Sequence, residues 1–262
     1  MKVVLLAGGK GTRARPFSEF VPKSMIPIEG RPLIDHIIRY LARFEIIDEI
    51  LIVCQFDSFG DQIINYFEGK ENIILKKITF IEDKRNGTGD AVLRTEDSII
   101  DGGQPFLVWF ADNLCALDLT ELLNHYNRLK MCLKKGKEIL GILVTRKRRH
   151  EETGRVTIKP NEFDKIEEFI EKPVAELESP EALGIYLFSK KIFDYLHEQQ
   201  NCCAHTDSFN LSHDVLAQLP SKGGNLYAYA LDERIDWIDI ESPVYADRNS
   251  KIISRIINQM AQ

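Results

Sequence analysis

A glycine-rich turn near the amino terminus is the first feature of this sequence with evident chemistry. Gly8, Gly9 and Gly11 follow a short apolar run, and Arg13 and Lys23 come soon after them. Glycines allow a sharp turn and a close approach of the backbone to a ligand. Main-chain N–H groups and fixed cations together bind phosphate oxygens. The turn therefore predicts a polyphosphate site, and nucleotide chemistry is the first hypothesis.

Two carboxylates further along the chain have the setting of metal ligands. Asp112 ends a wholly apolar segment, and Asp239 lies between Ile238 and Ile240. Open α/β sheets bind ligands at the carboxyl ends of their strands, and a carboxylate among apolar residues needs a cation or donors. Two carboxylates plus phosphate oxygens are typical of Mg²⁺ sites. Each has a structural alternative: Asp112 as the cap of a helix near Leu119, and Asp239 as half of a salt bridge.

Two common nucleotide-binding patterns do not fit the turn. The glycines at 8, 9 and 11 do not follow G-x-G-x-x-G, and Cys54-Gln55 stands where a ribose-binding acid would end the second strand. That acid is part of the dinucleotide fingerprint. The P-loop pattern fails as well, because no Gly-Lys-Ser/Thr follows the glycines. The turn is therefore a different kind of phosphate-binding loop.

The composition argues against a nucleic-acid partner and against a membrane. The 262 residues include 34 basic and 40 acidic ones, for a net charge of −6, whereas nucleic-acid proteins show a basic surplus or stripe. The basic cluster at 146–150 is offset by Glu151 and Glu152 and is interpreted as a solvated loop. No apolar run approaches the ~20 residues that span a bilayer. With no leader segment evident and no metal-site spacing among the cysteines, we expect a reduced, cytoplasmic protein.

Alternating strands and helices position these residues. Nearly continuous apolar strands in the first half predict a parallel sheet covered on both faces. Strands are predicted at 2–7, 50–54, 78–82 and 106–110, and helices from Pro32 and at 61–67, 88–100 and 119–126. The second half predicts strands at 139–145, 155–159, 165–170, 185–188, 226–230 and 237–240, and helices at 190–196, 211–219 and within 243–262. We expect one α/β domain with a mixed sheet.

Several motifs resemble one enzyme family. Residues 6–16, Pro22-Lys23 and residues 30–33 resemble the signature of the sugar-1-phosphate nucleotidyltransferases, roughly L-A-G-G-x-G-T-R-L-x-P, P-K and G-x-P-L. Ala14 and Ser24 depart from that pattern without removing a phosphate-binding group. Five further matches follow in the family's order: Gly87-Thr88-Gly89, Ala111-Asp112-Asn113, Glu171-Lys172-Pro173, Gly184-Ile185-Tyr186 and Trp237-Ile238-Asp239. The resemblance runs through the whole chain.

The resemblance implies a fold, an activity and a set of site residues. The fold would be a three-layer αβα, Rossmann-like domain over 1–262 with a mixed, mostly parallel central sheet. Its nucleotide-binding part would cover about 1–115 and its sugar-binding part about 116–245. The reaction would be Mg²⁺-dependent transfer of a nucleotidyl group from an NTP to a sugar 1-phosphate, releasing pyrophosphate. The implied catalytic residues are Arg13, Lys23, Asp112 and Lys172, with the metal on Asp112 and Asp239. The implied nucleotide contacts are Leu6, Ala7, Gly8, Gly9, Gly11, Thr12, Glu82, Gly87 and Thr88, and the implied sugar contacts are Gly154, Glu171, Gly184 and Tyr186.

The base and the acceptor stay open at this stage. Glu82 takes the place where the family frequently has a base-contacting glutamine, and a carboxylate only accepts hydrogen bonds. It therefore favours an N–H-bearing edge, as in guanine, uracil or thymine. Two alternatives keep the fold: transfer to a non-sugar phosphate or phosphonate, and a non-catalytic nucleotide-binding regulator. Residues 241–243 read Glu-Ser-Pro, where the family often has Gly-Thr-Pro beside its metal ligand. Family members are commonly oligomers, so a homo-oligomer is a further expectation.

Overall fold

The computed structural model describes residues 1–9, 11–70, 74–100, 103–133, 137–147, 155–171, 179–202 and 208–262. The strands are β1 Lys2–Leu6, β2 Pro27–Ile28, β3 Arg31–Pro32, β4 Glu49–Cys54, β5 Lys77–Glu82, β6 Phe106–Phe110, β7 Asn113–Cys115, β8 Gly141–Arg146, β9 Arg155–Lys159, β10 Lys165–Ile170, β11 Glu181–Phe188, β12 Leu226–Ala230 and β13 Trp237–Asp239. The α-helices are α1 Leu33–Ala42, α2 Asp61–Phe67, α3 Thr88–Leu93, α4 Glu96–Ile99, α5 Leu119–Cys132, α6 Ile192–Cys202, α7 Pro243–Arg248 and α8 Ser250–Ala261. Short 3₁₀ helices occupy Thr12–Ala14, Phe17–Glu19, Lys23–Met25 and Pro160–Glu162, and a π-helix occupies Leu211–Leu216.

The chain divides into two compact units. The first unit contains Met1–Arg85, Trp109–Leu117 and Glu233–Gln262. Its parallel strands follow the order β5-β4-β1. The main chain just beyond β6 continues beside β1, where Ala111 N–H donates to the Leu6 carbonyl at 3.1 Å. Strand β4 is buried along its whole length. Such uninterrupted burial explains the continuous apolar run, because a parallel strand covered on both faces has no solvent side.

A second, smaller ladder in the first unit is built from β7 and β13. These antiparallel strands pair Asp239 with Asn113, Ile238 with Leu114 and Trp237 with Cys115. Helix α8 packs against both strands. Its apolar positions Ile253, Ile256 and Met260 recur at three-to-four spacing and are buried, as expected of an amphipathic helix that covers a small sheet.

The second unit contains Asn86–Val108 and Asp118–Asp232. Its strands follow the order β11-β8-β12-β10-β9. Strands β8 and β12 run parallel, whereas the β11–β8, β10–β12 and β10–β9 ladders are antiparallel. Phe106 stacks on Phe193 with ring centroids 5.3 Å apart and lies 6.0 Å from Phe188, so the core of this unit is partly aromatic.

The α/β class and the mixed sheet are confirmed, and most element positions match the prediction. Helix 61–67 and the strands at 106–110, 155–159, 165–170 and 226–230 have the predicted bounds. The helix predicted at 88–100 is instead two helices, because the Thr95 hydroxyl donates to the Val92 carbonyl where α3 ends, a local bond that competes with helix continuation. The closing helix divides at Asn249, whose φ of −103° and ψ of 15° are not helical. The single domain and its division near residue 115 stay predictions.

Within the described part of the chain, no helix combines the length and the apolar character that crossing a membrane requires.

Glu49 ties three strands of the first unit together through ionic hydrogen bonds. Its carboxylate lies 2.9 Å from Lys2 Nζ and 2.8 Å from Lys77 Nζ, and it accepts a bond of 2.6 Å from the Thr79 hydroxyl. Lys2 and Lys77 are its cross-strand neighbours in β1 and β5. Burial alone would raise the pKa of Glu49, but the hydrogen bonds from Lys77, Thr79 and Lys2 lower it to about 2.

We expect Glu49→Gln to lower the free energy of unfolding by about 1–3 kcal/mol at pH 7, since each unit of pKa shift corresponds to about 1.4 kcal/mol. The pKa is depressed in the folded state, so the stabilisation is complete above the ordinary value of 4.5 and is lost as the pH falls toward 2. Urea unfolding at pH 7, 4.5 and 3 measures this. The exposed Glu45→Gln serves as control, and a pH-independent difference between wild type and Glu49→Gln contradicts the prediction.

Candidate active site

Lys23 lies between the two predicted metal-binding carboxylates. Its Nζ is 2.7 Å from Asp112 Oδ2 and 3.4 Å from Asp239 Oδ1. The three side chains are partly covered, with 17%, 26% and 31% of the side-chain surface exposed for Lys23, Asp112 and Asp239. The structure therefore brings together three of the residues that the sequence predicted separately.

The β7–β13 ladder explains how the two carboxylates meet. Asp112 comes immediately before β7, and its carbonyl accepts a bond of 2.8 Å from Ile240 N–H, immediately after β13. Asp239 itself pairs with Asn113 in the ladder. The side-chain amide of Asn113 also donates to Asp112 Oδ1 at 2.8 Å. Both carboxylates are thus held at one end of a small sheet.

The sequence left a helix cap as the alternative role of Asp112 and a salt bridge as that of Asp239, and the structure answers the two differently. Asp112 does not cap the helix near Leu119, because Asp118 is the N-cap of α5 and accepts from the N–H groups of Thr120 and Glu121. Asp239 does form a salt bridge, and its partner is Lys23. For Asp239 the salt-bridge and metal-ligand interpretations are therefore compatible.

The electrostatics of the cluster reflect two carboxylates that share one cation. Burial lowers the pKa of Lys23, but the charges and hydrogen bonds of Asp112 and Asp239 outweigh burial and raise it. Burial raises the pKa of Asp239, the charge of Asp112 raises it further, and Lys23 opposes both. Like charges in close proximity disfavour ionisation of both groups. The pair therefore favours additional positive charge.

The donor set fits a hard divalent cation. An oxygen of Asp112 and an oxygen of Asp239 already converge on one cation, the Lys23 ammonium, and carboxylate oxygens are the ligands that Mg²⁺ prefers. Within the described residues, no group of three or more His, Cys, Asp and Glu side chains has the arrangement of a metal site. Mg²⁺ characteristically completes its shell with water and substrate phosphates, so two protein carboxylates suffice.

The first glycine turn is closed by its own side chains. Gly11 adopts a positive φ of 57°, and its carbonyl accepts from the Ser18 hydroxyl at 2.6 Å and from Ala14 N–H at 2.8 Å. These bonds hold the 3₁₀ turn that presents Arg13, whose Nη1 lies 3.5 Å from Glu241 Oε1. Thr12, in the same 3₁₀ turn, is exposed. Arg13 is therefore displayed at the surface of the first unit beside a carboxylate.

The glycines at 8 and 9 have different surroundings. A methyl group at Gly8 would stand 1.7 Å from Asp83 Oδ2 and 2.8 Å from Gln55 Nε2, and the Gln55 amide donates to the Gly8 carbonyl at 2.5 Å. In the described part of the chain, no atom lies within 4 Å of a methyl group added at Gly9. Gly8 is therefore required by packing, whereas Gly9 faces open space. Leu6 ends β1, and Ala7 is buried after it.

Glu82, the predicted base contact, ends β5, and its carboxylate pairs with Lys84 Nζ at 2.6 Å. Its neighbour Asp83 is the acidic residue that contacts the first glycine turn. Both side chains are acceptors, so the preference for an N–H-bearing base edge is the same whichever of them faces the base.

In the second unit, the predicted nucleotide contacts Gly87 and Thr88 form the start of α3. Gly87 has φ 102° and ψ 167°, a backbone conformation essentially restricted to glycine. The Thr88 hydroxyl accepts a bond of 2.9 Å from Leu211 N–H. Asp90 in the same motif forms an ion pair of 2.7 Å with Arg94, so its negative charge is balanced locally.

The predicted sugar-binding residues are described only in part. Gly184 has a positive φ of 68° inside β11, where the register with β8 shifts between Ala182 and Tyr186. The Tyr186 side chain belongs to the core: the residue is only 3% exposed, and its ring centroid is 5.7 Å from that of Phe188. Glu171 directly follows β10. Lys172 and Gly154 lie outside the described residues, so their roles stay predictions.

Sequence reasoning missed three residues of the first unit. Gln55 and Asp83 lie against Gly8, and Glu241 lies against Arg13. No sequence signal identifies Gln55 or Asp83, because each simply follows a strand. Glu241 did carry a signal, namely its place in the departure from Gly-Thr-Pro.

Comparison with known proteins agrees with this geometry. Residues 2–244 match the family model described as nucleotidyl transferase, so the chain belongs to that family. It is 31% identical over 199 residues to the bifunctional protein GlmU of Methanocaldococcus jannaschii, covering 76% of this chain and 42% of GlmU. It is 28% identical over 268 residues to the mannose-1-phosphate guanylyltransferase regulatory subunit alpha of Xenopus tropicalis, covering 95% and 62%. The chain thus spans about half the length of these curated relatives.

Solved structures share the fold. A Bacillus anthracis protein described as a glucose-1-phosphate thymidylyltransferase, in complex with sucrose, superimposes with a TM-score of 0.79 at 23% identity, covering 98% of this chain and 99% of that one. A UDP-glucose pyrophosphorylase in complex with UDP-glucose gives a TM-score of 0.75 at 22% identity, covering 97% and 98%.

We expect Gly9→Ala to separate folding from ligand binding. The added methyl group meets no atom of the described residues within 4 Å, so the melting temperature should stay within about 2 °C of wild type, since a surface substitution usually changes stability by no more than about 0.5 kcal/mol. Nucleotide affinity should fall about tenfold if a phosphate or base approaches the Gly9 backbone. Thermal unfolding and nucleotide titration measure the two effects.

Gly103→Ala is the matched control, because its added methyl group also meets no described residue within 4 Å. Unchanged nucleotide affinity in Gly9→Ala contradicts the expected approach of a ligand to Gly9.

Proposed function

We propose that this protein transfers a nucleotidyl group from an NTP to a sugar 1-phosphate, giving an NDP-sugar and pyrophosphate. The observation that carries the proposal is the convergence of two carboxylates, Asp112 and Asp239, on the Lys23 ammonium, at 2.7 and 3.4 Å from Nζ. The matched family supports the reaction class. The cytoplasm, where NTPs are available, is the proposed location.

The charge of the site explains a need for divalent metal. Arg13 and Lys23 are cations, whereas Asp112, Asp239 and Glu241 are carboxylates, so these five side chains carry one more negative charge than positive. A polyphosphate would be repelled by such a set. Mg²⁺ held by Asp112 and Asp239 would reverse the sign and neutralise phosphate charge. The residues that hold it are therefore part of substrate recognition.

The reaction needs little from the protein besides alignment and charge. An oxygen of the sugar phosphate attacks the α-phosphorus, the new P–O bond forms, and the bond from that phosphorus to the β-phosphate oxygen breaks to release pyrophosphate. A phosphate dianion is already nucleophilic, so no general base is required. The protein must bring two mutually repelling anions together in line and stabilise the charge on the departing group.

Each cation has a proposed place in that process. Arg13, presented at the surface by the first turn, binds the β- and γ-phosphates and stabilises the departing pyrophosphate. Lys23 has three N–H donors, of which Asp112 and Asp239 engage two, and the third serves the α-phosphate. Lys172 receives the sugar phosphate in this proposal. Gly154, Glu171 and Gly184 are assigned to the sugar, and Tyr186, whose side chain is buried, is assigned to it only through the main chain of β11.

A second function is favoured by one relative. The Xenopus tropicalis protein is named a regulatory subunit, so a non-catalytic, nucleotide-binding role is the main alternative for this chain. Retention of Arg13, Lys23, Asp112 and Asp239 supports catalysis instead, because a regulator needs no stabilisation of a departing pyrophosphate.

The test is release of pyrophosphate with Mg²⁺, each of five NTPs and a panel of sugar 1-phosphates. We expect turnover with at least one pair, and GTP, UTP or dTTP should be among the nucleotides used, because the Glu82 or Asp83 carboxylate can accept from the ring N–H of their bases. Turnover only with a non-sugar phosphate or phosphonate supports the alternative in which the acceptor is not a sugar 1-phosphate. Nucleotide binding without turnover on any acceptor supports the regulator.

Asp112→Asn should lower kcat by about 10²–10³-fold, by analogy with the loss of one stabilising group in a preorganised site. Asparagine keeps the shape of the side chain but removes the charge that pairs with Lys23 and Mg²⁺. Steady-state pyrophosphate release measures the effect, and far-UV circular dichroism checks the fold. The exposed Asp247→Asn is the matched control. A kcat within threefold of wild type in Asp112→Asn rejects the assigned role.

A further inference from the structure

A short segment of the second unit crosses the second glycine turn. Residues 208–211, called the strap below, make two main-chain hydrogen bonds with that turn: Phe209 N–H donates to the Asn86 carbonyl at 2.6 Å, and Gly89 N–H donates to the Phe209 carbonyl at 2.9 Å. A third bond of 2.9 Å runs from Leu211 N–H to the Thr88 hydroxyl. The turn is thus held along its length by one neighbouring segment.

Phe209 also explains why residues 87 and 89 are glycines. A methyl group at Gly87 would stand 2.2 Å from the Phe209 carbonyl oxygen, and one at Gly89 would stand 2.7 Å from a carbon of the Phe209 ring. Heavy atoms cannot approach so closely. The two glycines therefore permit contact with the strap, whatever contact they also make with a ligand.

The strap is itself anchored on its other side. The Asp214 carboxylate accepts a bond of 2.6 Å from Asn210 N–H. Phe209 is 5% exposed and Leu211 is fully buried, and the π-helix that begins at Leu211 packs against α3. The strap is therefore a fixed element rather than a loosely attached loop.

The bond from Leu211 sets the direction of the Thr88 hydroxyl. A hydroxyl has one proton to donate and two lone pairs that accept. One lone pair of Thr88 receives Leu211 N–H, and among the described residues no acceptor takes the hydroxyl proton. The hydroxyl proton is therefore available to an acceptor on a ligand.

We infer that the strap positions the second glycine turn for nucleotide binding, with Phe209 as its positioning residue and Thr88 as the oriented donor. The inference rests on the proposed function, in which Gly87 and Thr88 meet the nucleotide. Phe209 acts through the turn and does not touch the substrate. Small displacements of a positioning element can reduce rates or affinities by large factors.

The first test compares Phe209→Leu with Phe193→Leu. Phe193 is 2% exposed, belongs to the same unit and stacks on Phe106 instead of the turn, so it reproduces the loss of core packing alone. We expect Phe209→Leu to raise the KM for the NTP about tenfold, with kcat and the acceptor KM within twofold of wild type. Phe193→Leu should lower the melting temperature similarly and leave the NTP KM unchanged. Equal NTP KM values in the two variants overturn the inference.

Thr88 provides a second test that leaves the core intact. Thr88→Ser keeps the hydroxyl and should keep the NTP KM within twofold, whereas Thr88→Val removes it and should raise the KM about tenfold and speed amide exchange at Leu211. Thr88→Val with unchanged KM and exchange overturns the inference. Failure of the proposed function would give a different result. In that case the wild-type protein would neither bind nor turn over any NTP, although its Gly89 and Leu211 amides would still be protected from hydrogen exchange.

Discussion

The pairing of Lys23 with two carboxylates is the interaction on which the first unit depends. The β7–β13 ladder places Asp112 and Asp239 at one end of a small sheet, and carboxylates so close together repel each other. A cation must then approach them, and the chain supplies it from the segment that follows the first glycine turn. The bonds from Ser18 and Ala14 to the Gly11 carbonyl close that turn. The same stretch of chain therefore forms the first glycine turn and supplies the cation that the two carboxylates need.

In this arrangement the charged groups interact strongly, but the negative charges outnumber the positive ones. The Lys23 pKa is raised despite burial, because two carboxylates face it, and the Asp239 pKa is raised because burial and Asp112 both disfavour its charge. The two cations, Lys23 and Arg13, do not balance the three carboxylates of Asp112, Asp239 and Glu241. A metal–nucleotide complex would balance them better than a free nucleotide, so in the proposed function the residues that would hold the metal would also select the metal-bound form of the substrate. In this view catalysis and recognition use one set of charges.

Periodicity and motif order predicted much of the fold, and the misses have physical reasons. Helix α2 and strands β6, β9, β10 and β12 have the predicted bounds because uninterrupted apolar or alternating runs define them. Strand β7 was missed because three residues are too few to show a period. The helix break near Thr95 depends on a side-chain bond to the Val92 carbonyl, which hydrophobic spacing does not encode.

The site was predictable in its members but not in its contacts. Lys23, Asp112 and Asp239 were identified one by one, yet their meeting depends on the pairing of β7 with β13, two segments more than 120 residues apart in numbering. Asp83 and Gln55 were missed because their proximity to Gly8 follows from the parallel register of β4 and β5 with β1. Residues that act through register leave no local pattern.

The glycines show most clearly that one motif can have several physical causes. Gly8 is packed against Asp83 and Gln55, Gly87 needs a backbone conformation closed to other residues, and Gly89 makes room for the Phe209 ring. Among the described residues, Gly9 has neither a close neighbour nor a positive φ, so neither packing nor backbone conformation explains its lack of a side chain. Gly8, Gly87 and Gly89 would thus be needed by an enzyme and by a non-catalytic relative alike. The charged residues around Lys23 are different, because their mutual repulsion costs stability unless a ligand or a metal compensates it. Evidence for catalysis therefore lies in the charges rather than in the glycines.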